Sequence, residues 1–330
     1  MDLNDKIARL DDAERDTFEV LRERFDAGES LILAEKVTAF EAEVYKTAYE
    51  GFIYNKLAPV VSDGPGLEAV GYYSQDQAGK AKFIADDDDD LPNLNAKMKK
   101  HTLPIREFGA AYGWTLRELQ KFSRMGLPVE NDMAMQAREA MERLLDDTFF
   151  QGGLNGQVPG ILTNASKYTE VAMTNPATKW SAETTDNLMQ DLARIVDGVY
   201  QGSKRTWRAN SVVLPVELMR VLTTRFISGT DTTILDSFLS SPTYKDVEFF
   251  DTDMFYSKNV TLASGAKTSK NIILAYYRSP QVLKYKVPVP FFQHPLERTG
   301  RKFHREVTGE IAGIEIKNAT AFSVAVTPPL

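Results

Sequence analysis

The chain contains no cysteine. That absence excludes a disulfide scaffold, a thiolate zinc site and a cysteine nucleophile together, and it suits a protein made in a reducing cytoplasm. Histidine is scarce. His101, His294 and His304 stand apart, none with a second histidine or a helix-spaced carboxylate pair, so no metal signature forms. No apolar run approaches the roughly 20 residues of a membrane span. The start of the chain carries Asp2, Asp5, Lys6 and Arg9 where a signal peptide would have an apolar stretch, so neither an anchor nor a leader is expected. Positive charge is not in excess either: 39 Lys and Arg stand against 46 Asp and Glu, a formal net charge of -7. That balance argues against a dedicated sequence-reading nucleic-acid binder and leaves only local, non-specific phosphate contacts.

Catalytic motifs are missing as well. There is no Gly-x-Ser-x-Gly elbow and no Gly-x-x-x-x-Gly-Lys-Ser/Thr phosphate loop. The glycine cluster Gly152, Gly153, Gly156 and Gly160 follows a helical pattern instead of a strand, so it reads as a helix stop and turn. Asp146-Asp147 reads as one salt-bridge partner and one solvated acid, not as an acid/base pair. No catalytic residue, cofactor site or metal site is expected, and the chain does not read as an enzyme; a cytoplasmic enzyme with an unrecognised site is the contrasting alternative.

What is present is ordinary for a globular protein: 330 residues, 43% hydrophobic and 26% charged. A chain of this size buries roughly three quarters of its unfolded surface and needs no staple. Residues 3–25 and 34–56 carry helical spacing of apolar residues and predict a charged N-terminal arm. Ser62-Asp63-Gly64-Pro65-Gly66 is a turn cluster, and residues 67–74 read as a strand. Residues 72–101 have few core-forming side chains and contain Asp86, Asp87, Asp88, Asp89 and Asp90 in succession, followed by Lys97, Lys99 and Lys100. Like charges in a row repel and cannot be buried, so this stretch must project into solvent or meet a partner. It predicts a long extended hairpin with the acids near its tip. The acidic run lacks the spaced ligands and mid-loop glycine of a calcium loop.

Residues 102–114 return to strand character, and a short helix opens at Thr115. Over residues 129–150, behind Pro128, Met133, Ala137, Ala140, Met141, Leu144, Leu145, Thr148 and Phe149 recur at three- and four-residue spacing. That pattern predicts a helix on the order of 30 Å long. Gly160-Ile161-Leu162 reads as a short strand after a turn. A helix is expected over 182–200, a buried strand over 211–214 running into a helix at Pro215, and further strands over 247–250 and 271–277. Helices and strands mix without a βαβ repeat, so the fold class is α+β.

This order of elements resembles the major capsid proteins of tailed phages, which share the Hong Kong 97 phage-type capsid fold with bacterial encapsulin shells. The resemblance rests on Arg106-Glu107-Phe108, Trp114-Thr115-Leu116-Arg117-Glu118-Leu119 and Leu145-Asp146-Asp147-Thr148-Phe149-Phe150, then Gly160-Ile161-Leu162-Thr163-Asn164 and Val212-Val213-Leu214-Pro215, with residues 309–324 at the end. It covers about residues 34–326 and implies an N-terminal arm over 1–66 and an extended loop, the E-loop, over 67–101. It further implies a peripheral domain over 102–180 and 283–330, with a spine helix, and an axial domain over 181–282. It also implies self-assembly into pentamers and hexamers of an icosahedral virion shell around double-stranded DNA held non-specifically. Portal and scaffold or decoration proteins would be further partners, with no membrane involved. Asp86 to Asp90 with Lys97, Lys99 and Lys100 then become candidate intersubunit contacts. An encapsulin shell is the alternative within the fold. One member of the family links subunits through a lysine-asparagine bond; Lys80, Lys82 and Asn318 are available here but carry no local signature.

Overall fold

The computed structural model describes residues 51–78, 95–125, 129–256, 260–261, 267–268 and 270–329. They belong to one compact unit, Gly51–Leu330. The N-terminal arm, apart from its last residues, lies outside the described residues. A single helical turn, α1 (Tyr54–Leu57), and β1 (Val60–Val61) lead into β2 (Ala69–Ala78) and β3 (Asn95–Pro104). β4 (Arg106–Thr115), α2 (Leu116–Met125) and the long α3 (Val129–Gln151) follow. After 3-10 segments at Leu154–Gly156 and Leu162–Lys167 come β5 (Thr169–Glu170), α4 (Thr185–Gly202), β6 (Ser211–Leu214), α5 (Val216–Thr224), α6 (Ile234–Ser240) and β7 (Glu248–Asp251). The chain ends with β8 (Val260–Thr261), β9 (Lys267–Thr268), β10 (Asn271–Tyr276), β11 (Leu283–Lys286), β12 (Val289–Gln293), β13 (Glu297–Thr299), β14 (Lys302–Ile311), β15 (Gly313–Ile316) and β16 (Phe322–Thr327).

A five-stranded sheet in the order β5-β16-β10-β6-β7 sits between two cores. Alternation along its strands shows why. Val213, Ile272, Leu274 and Tyr276 face a core shared with Leu145, Phe149 and Phe150 of α3 and with Tyr285. Val212, Leu214, Ile273 and Ala275 face the opposite core, filled by Leu188, Leu192, Ile195 and Val199 of α4 and by Leu218 and Leu222 of α5. Both faces are covered, so these central strands read as continuous apolar runs. The last strand, β16, pairs with β10 and β5, so this sheet draws a strand from the 283–330 stretch as well as from 181–282.

The other sheets are built on long-range pairing. β4 and β14 form an antiparallel ladder from Arg106↔Ile311 to Thr115↔Lys302, and β12 and β13 pair with β14 on its other edge. α3 lies against this sheet through Ala137 and Met141, which meet Val307 and the half-buried Phe108, Ala110 and Tyr112. At 23 residues α3 is about 35 Å long. Its stripe is narrower than its spacing predicts: Ala137, Met141, Leu145, Thr148 and Phe149 are buried, while Ala140 and Leu144 are exposed. Gly152 ends the helix at φ 72°, with its N–H donated to Thr148 O at 2.8 Å; a Cβ there would sit 2.6 Å from Val158 O.

Three expectations fail for local reasons. Gly160-Ile161-Leu162 forms a turn entering the 3-10 helix, not a strand. Thr163 Oγ1 accepts from Gly160 N at 2.8 Å, and Asn164 Nδ2 donates to Gly160 O at 3.0 Å; such side-chain bonds compete with a strand ladder. The helix expected over 182–200 starts later, because Thr184 accepts from Asn187 N and serves as the N-cap. Finally, Gly51, Phe52 and Ile53 do not continue a helix into α1. Asp146, of the pair expected to be one salt-bridge partner and one solvated acid, accepts the N–H groups of Ile53 at 3.1 Å and Tyr54 at 3.0 Å and so starts α1 from the side of α3.

Burial raises the Asp146 carboxyl above its ordinary value, and the two amide donors oppose this only in part. A carboxyl raised on folding stabilises the native state fully where it is protonated, and that contribution is lost as pH climbs through the raised value. Asp146→Asn keeps an uncharged acceptor and is expected to flatten this dependence. Asp146→Ala strands two amides and is expected to cost about 1–3 kcal/mol. Urea titration of both variants at acidic and neutral pH checks this; an alanine variant as stable as wild type would remove the capping role.

Candidate assembly surfaces

The hairpin predicted from sequence forms. β2 and β3 pair antiparallel from Ala69↔Pro104 to Ala78↔Asn95, and at about 3.4 Å per residue a ladder of ten pairs extends on the order of 34 Å. The tip lies outside the described residues, and Asp86, Asp87, Asp88, Asp89 and Asp90 lie there with it, as do Lys80 and Lys82. Lys97 pairs by register with Asp76, Lys99 with Ser74 and Lys100 with Tyr73. Side chains alternate across a strand, so the exposed Lys99 and Lys100 point to opposite faces and do not form one basic patch.

Two residues missed in the sequence share the face of Lys100. Tyr73 is 66% exposed and Met98 65%, two rungs apart on the ladder and so successive on that face. Large apolar side chains on a strand pair outside the cores have no core to enter; period-two counting from Lys100 would have found Met98, and the pairing register adds Tyr73. Tyr72, on the other face, stacks on His101 with ring centroids 4.9 Å apart.

The base of the hairpin is fastened by charge. Lys286 Nζ lies 2.8 Å from Asp63 in the turn before β2, and 3.9 Å from Glu315, whose other oxygen is 3.7 Å from Lys317. Lys286 and Glu315 are nearly buried, at 8% and 4% side-chain exposure. Ser62 Oγ donates to Pro288 O, Tyr72 OH to Ile316 O at 3.3 Å and Ile105 N to Glu68 O at 3.0 Å. Burial, with a smaller push from Glu315, raises the Tyr72 hydroxyl and keeps it a donor. Lys286→Met leaves Glu315 buried with only Lys317 opposite it, and the expected loss is about 3 kcal/mol. Faster proteolysis within 69–104 is the expected readout, and an unchanged cleavage rate would discount the fastening.

α2 opens on a reciprocal capping box: Thr115 N donates to Glu118 at 2.8 Å, and Glu118 N to Thr115 Oγ1 at 3.2 Å. The Thr115 N–H, and the Thr115 hydroxyl, which also donates to the Glu118 carboxylate at 2.9 Å, lower the Glu118 carboxyl. Among the described residues no group of His, Asp and Glu has the geometry to hold a metal, and no helix is long and apolar enough to cross a membrane. His294 shares a hydrogen bond with Thr308 at 3.0 Å and His304 lies 3.2 Å from Glu297, both within the β12–β14 sheet. Asn318 caps the 3-10 turn at Ala319–Ala321 by accepting from Thr320 N.

Comparison with solved structures finds this fold in phage shells. The capsid of Myoviridae phage XM1 superposes with a TM-score of 0.73 at 16% identity, covering 92% of this chain and 100% of that one. A chain from Mycobacterium phage Ogopogo gives 0.61 at 14% identity, covering 89% and 98%. The capsid of a native gene transfer agent (GTA) particle gives 0.62 at 11% identity, covering 92% and 99%. A comparison with curated protein sequences found no match. The model of one family, described as "Major capsid protein", matches residues 79–325. That span includes the far strand of the hairpin, α3 and all but the end of β16, and the family matched is one of capsid proteins and not of encapsulin shells: the chain belongs to the major capsid protein family.

Proposed function

We propose that this major capsid protein assembles as pentamers and hexamers into a closed icosahedral shell around double-stranded DNA, with β2 and β3 as the stem of a loop that crosses onto a neighbouring subunit. The observation that carries the reading is the hairpin: about 34 Å of ladder, built on the spacing of extended strands, fastened at its base and exposing Tyr73, Met98, Lys99 and Lys100. A lone subunit gains nothing from such an arm, whereas a contact between unlike patches of successive copies closes rings. In this arrangement α3 is the spine of a peripheral domain formed by 102–180 and 283–330, and 181–282 form the axial domain, with β16 joining the two through the five-stranded sheet. Residues 1–66 act as an arm. DNA is held without sequence reading, portal and scaffold or decoration proteins complete the particle, and the shell is its final location after synthesis in host cytoplasm.

Electron microscopy of the purified protein tests this. Closed shells of pentamers and hexamers are expected, and sedimentation as monomer or dimer under every salt and crowding condition would defeat the reading.

A further inference from the structure

We infer that neighbouring copies lock through opposite ends of the helical layer: the loop 225–233 of one copy, led by Phe226 and Asp231, seats in a cleft of the next lined by Tyr200, Arg205, Arg208 and Tyr244. This rests on the shell reading above and adds a specific contact to it.

The cleft measures about 420 Å³ and lies between the C-terminal end of α4 and the segment after α6. Its basic side chains are placed by an unusual turn. Lys204 and Arg205 hold φ of 53° and 67°, a region that non-glycine side chains rarely adopt and that recurs at functional sites. The turn is fixed by Lys204 N donating to Gln201 O at 3.2 Å and Arg205 N to Tyr200 O at 2.7 Å. Lys204, Arg205 and Arg208 are all exposed. The Arg208 guanidinium lies 4.7 Å from the centre of the Tyr200 ring, and Tyr244 OH donates to Asp197 at 3.1 Å. Cations do gather at helix C-termini for the dipole alone. That reason does not explain an open cleft with two tyrosines in its wall.

The loop has the complementary chemistry. Phe226 is 61% exposed, Asp231 is exposed, and neither Arg205 nor Asp231 makes an ion pair among the described residues. The loop is preorganised: Phe226 and Thr233 form a bridge, Ile227 N donates to Thr232 O at 3.1 Å, Thr230 N to Ile227 O at 3.0 Å, and Gly229 turns the chain at φ 83°. Ile227 packs on the core beneath. Arg225 donates to Trp180 O at 3.2 Å, which fixes the loop near the start of α4. α4 has 18 residues, so loop and cleft lie at opposite ends of a helix about 27 Å long. An exposed phenylalanine and aspartate at one end and a basic aromatic cleft at the other cannot meet within one subunit, but they pair head to tail between copies. DNA phosphate is the rival occupant. The Asp197 carboxylate inside the cleft disfavours a run of phosphates and tolerates a single side-chain carboxylate that reaches Arg205 and Arg208.

The test is charge reversal with rescue. Asp231→Arg, Arg205→Asp and the combined variant are compared with wild type by electron microscopy and sedimentation, with thermal melting by circular dichroism on the same samples. Both positions are exposed, so subunit melting should not move. Each single reversal is expected to lower shell yield about tenfold and the combination to recover most of it, the signature of a direct pair. Phe226→Ala should lower yield without rescue by either reversal. Single variants that assemble normally, or a combination no better than the singles, overturn the contact while wild-type shells keep the shell reading intact. Normal shells from Arg205→Asp that retain less DNA would assign the cleft to phosphate and overturn the contact too. Wild-type protein that forms no shells removes both readings.

Discussion

Leu145→Asp is expected to give no folded subunit. Leu145 is 1% exposed, on the turn of α3 that meets the shared core. Its neighbours are rigid. Phe149 meets Phe150 and Tyr285 edge to face with centroids 5.1 and 5.3 Å apart, and Tyr285 OH donates to Leu145 O at 2.7 Å. An aspartate there loses the burial of a leucine, about 1.5–3 kcal/mol, and places an unpaired carboxylate where burial already raises the Asp146 carboxyl next to it. The desolvation of that charge adds several kcal/mol, and the sum rivals the whole stability of a domain, roughly 5–15 kcal/mol. Met141→Asp, at a site 3% exposed against the β4–β14 sheet, is expected to act alike. Insoluble expression or loss of the cooperative melting transition is the result to look for. Soluble, assembled protein carrying Leu145→Asp would show that the buried face of α3 has been misplaced. Leu144→Asp is the control, because Leu144 is 44% exposed; it should leave the subunit folded.

These neighbours show what was legible in the sequence. Three- and four-residue spacing marked α3 and its stripe, yet spacing alone put Leu144 and Ala140 inside along with Leu145. A helix face about as wide as the apolar stripe packs only where another element meets it, and β4 and β14 reach the Ala137 and Met141 side. The apolar runs of β6 and β10 were legible for a related reason: strands covered on both faces need no alternation. Side-chain hydrogen bonds to backbone were not legible. Thr163 and Asn164 turn Gly160 away from a strand, and Asp146 reaches across 92 residues of chain to Tyr54. Neither leaves a periodic trace. Among the candidate contacts, the hairpin could be read from its want of core residues and the division of Lys99 and Lys100 between its faces from alternation alone, whereas the placing of Tyr73 beside Lys100 depends on register. The cleft beside α4 left no signal, because its residues come from 197–208 and 243–244 and only the fold joins them.

Neutralising the acidic run should separate folding from assembly. Asp86, Asp87, Asp88, Asp89 and Asp90 follow one another in a chain already at net charge -7, so solubility does not call for them, and their mutual repulsion is a standing cost. They belong to the segment joined to the stem of β2 and β3, and among the described residues neither strand contributes a side chain to the cores. A run of like charges is not a core element, so replacing all five with asparagine is expected to leave the circular dichroism spectrum and subunit melting matching wild type. If the loop crosses a neighbour, each aspartate meets a basic group there for about 0.2–1 kcal/mol, the range for exposed pairs. One such pair is weak, but a run of them repeated at every contact in a shell is not, and shell yield or heat resistance should fall sharply. The same logic sets the salt dependence. Exposed charges are screened beyond about 10 Å at 0.1 M salt, so raising salt should weaken wild-type shells toward the level of the asparagine variant, while the variant itself responds little. Electron microscopy beside circular dichroism on one preparation reads both arms. Asparagine shells with normal yield, heat resistance and salt response would reduce the run to a solvated tip, and the contact between subunits would have to rest on the Tyr73, Met98 and Lys100 face instead.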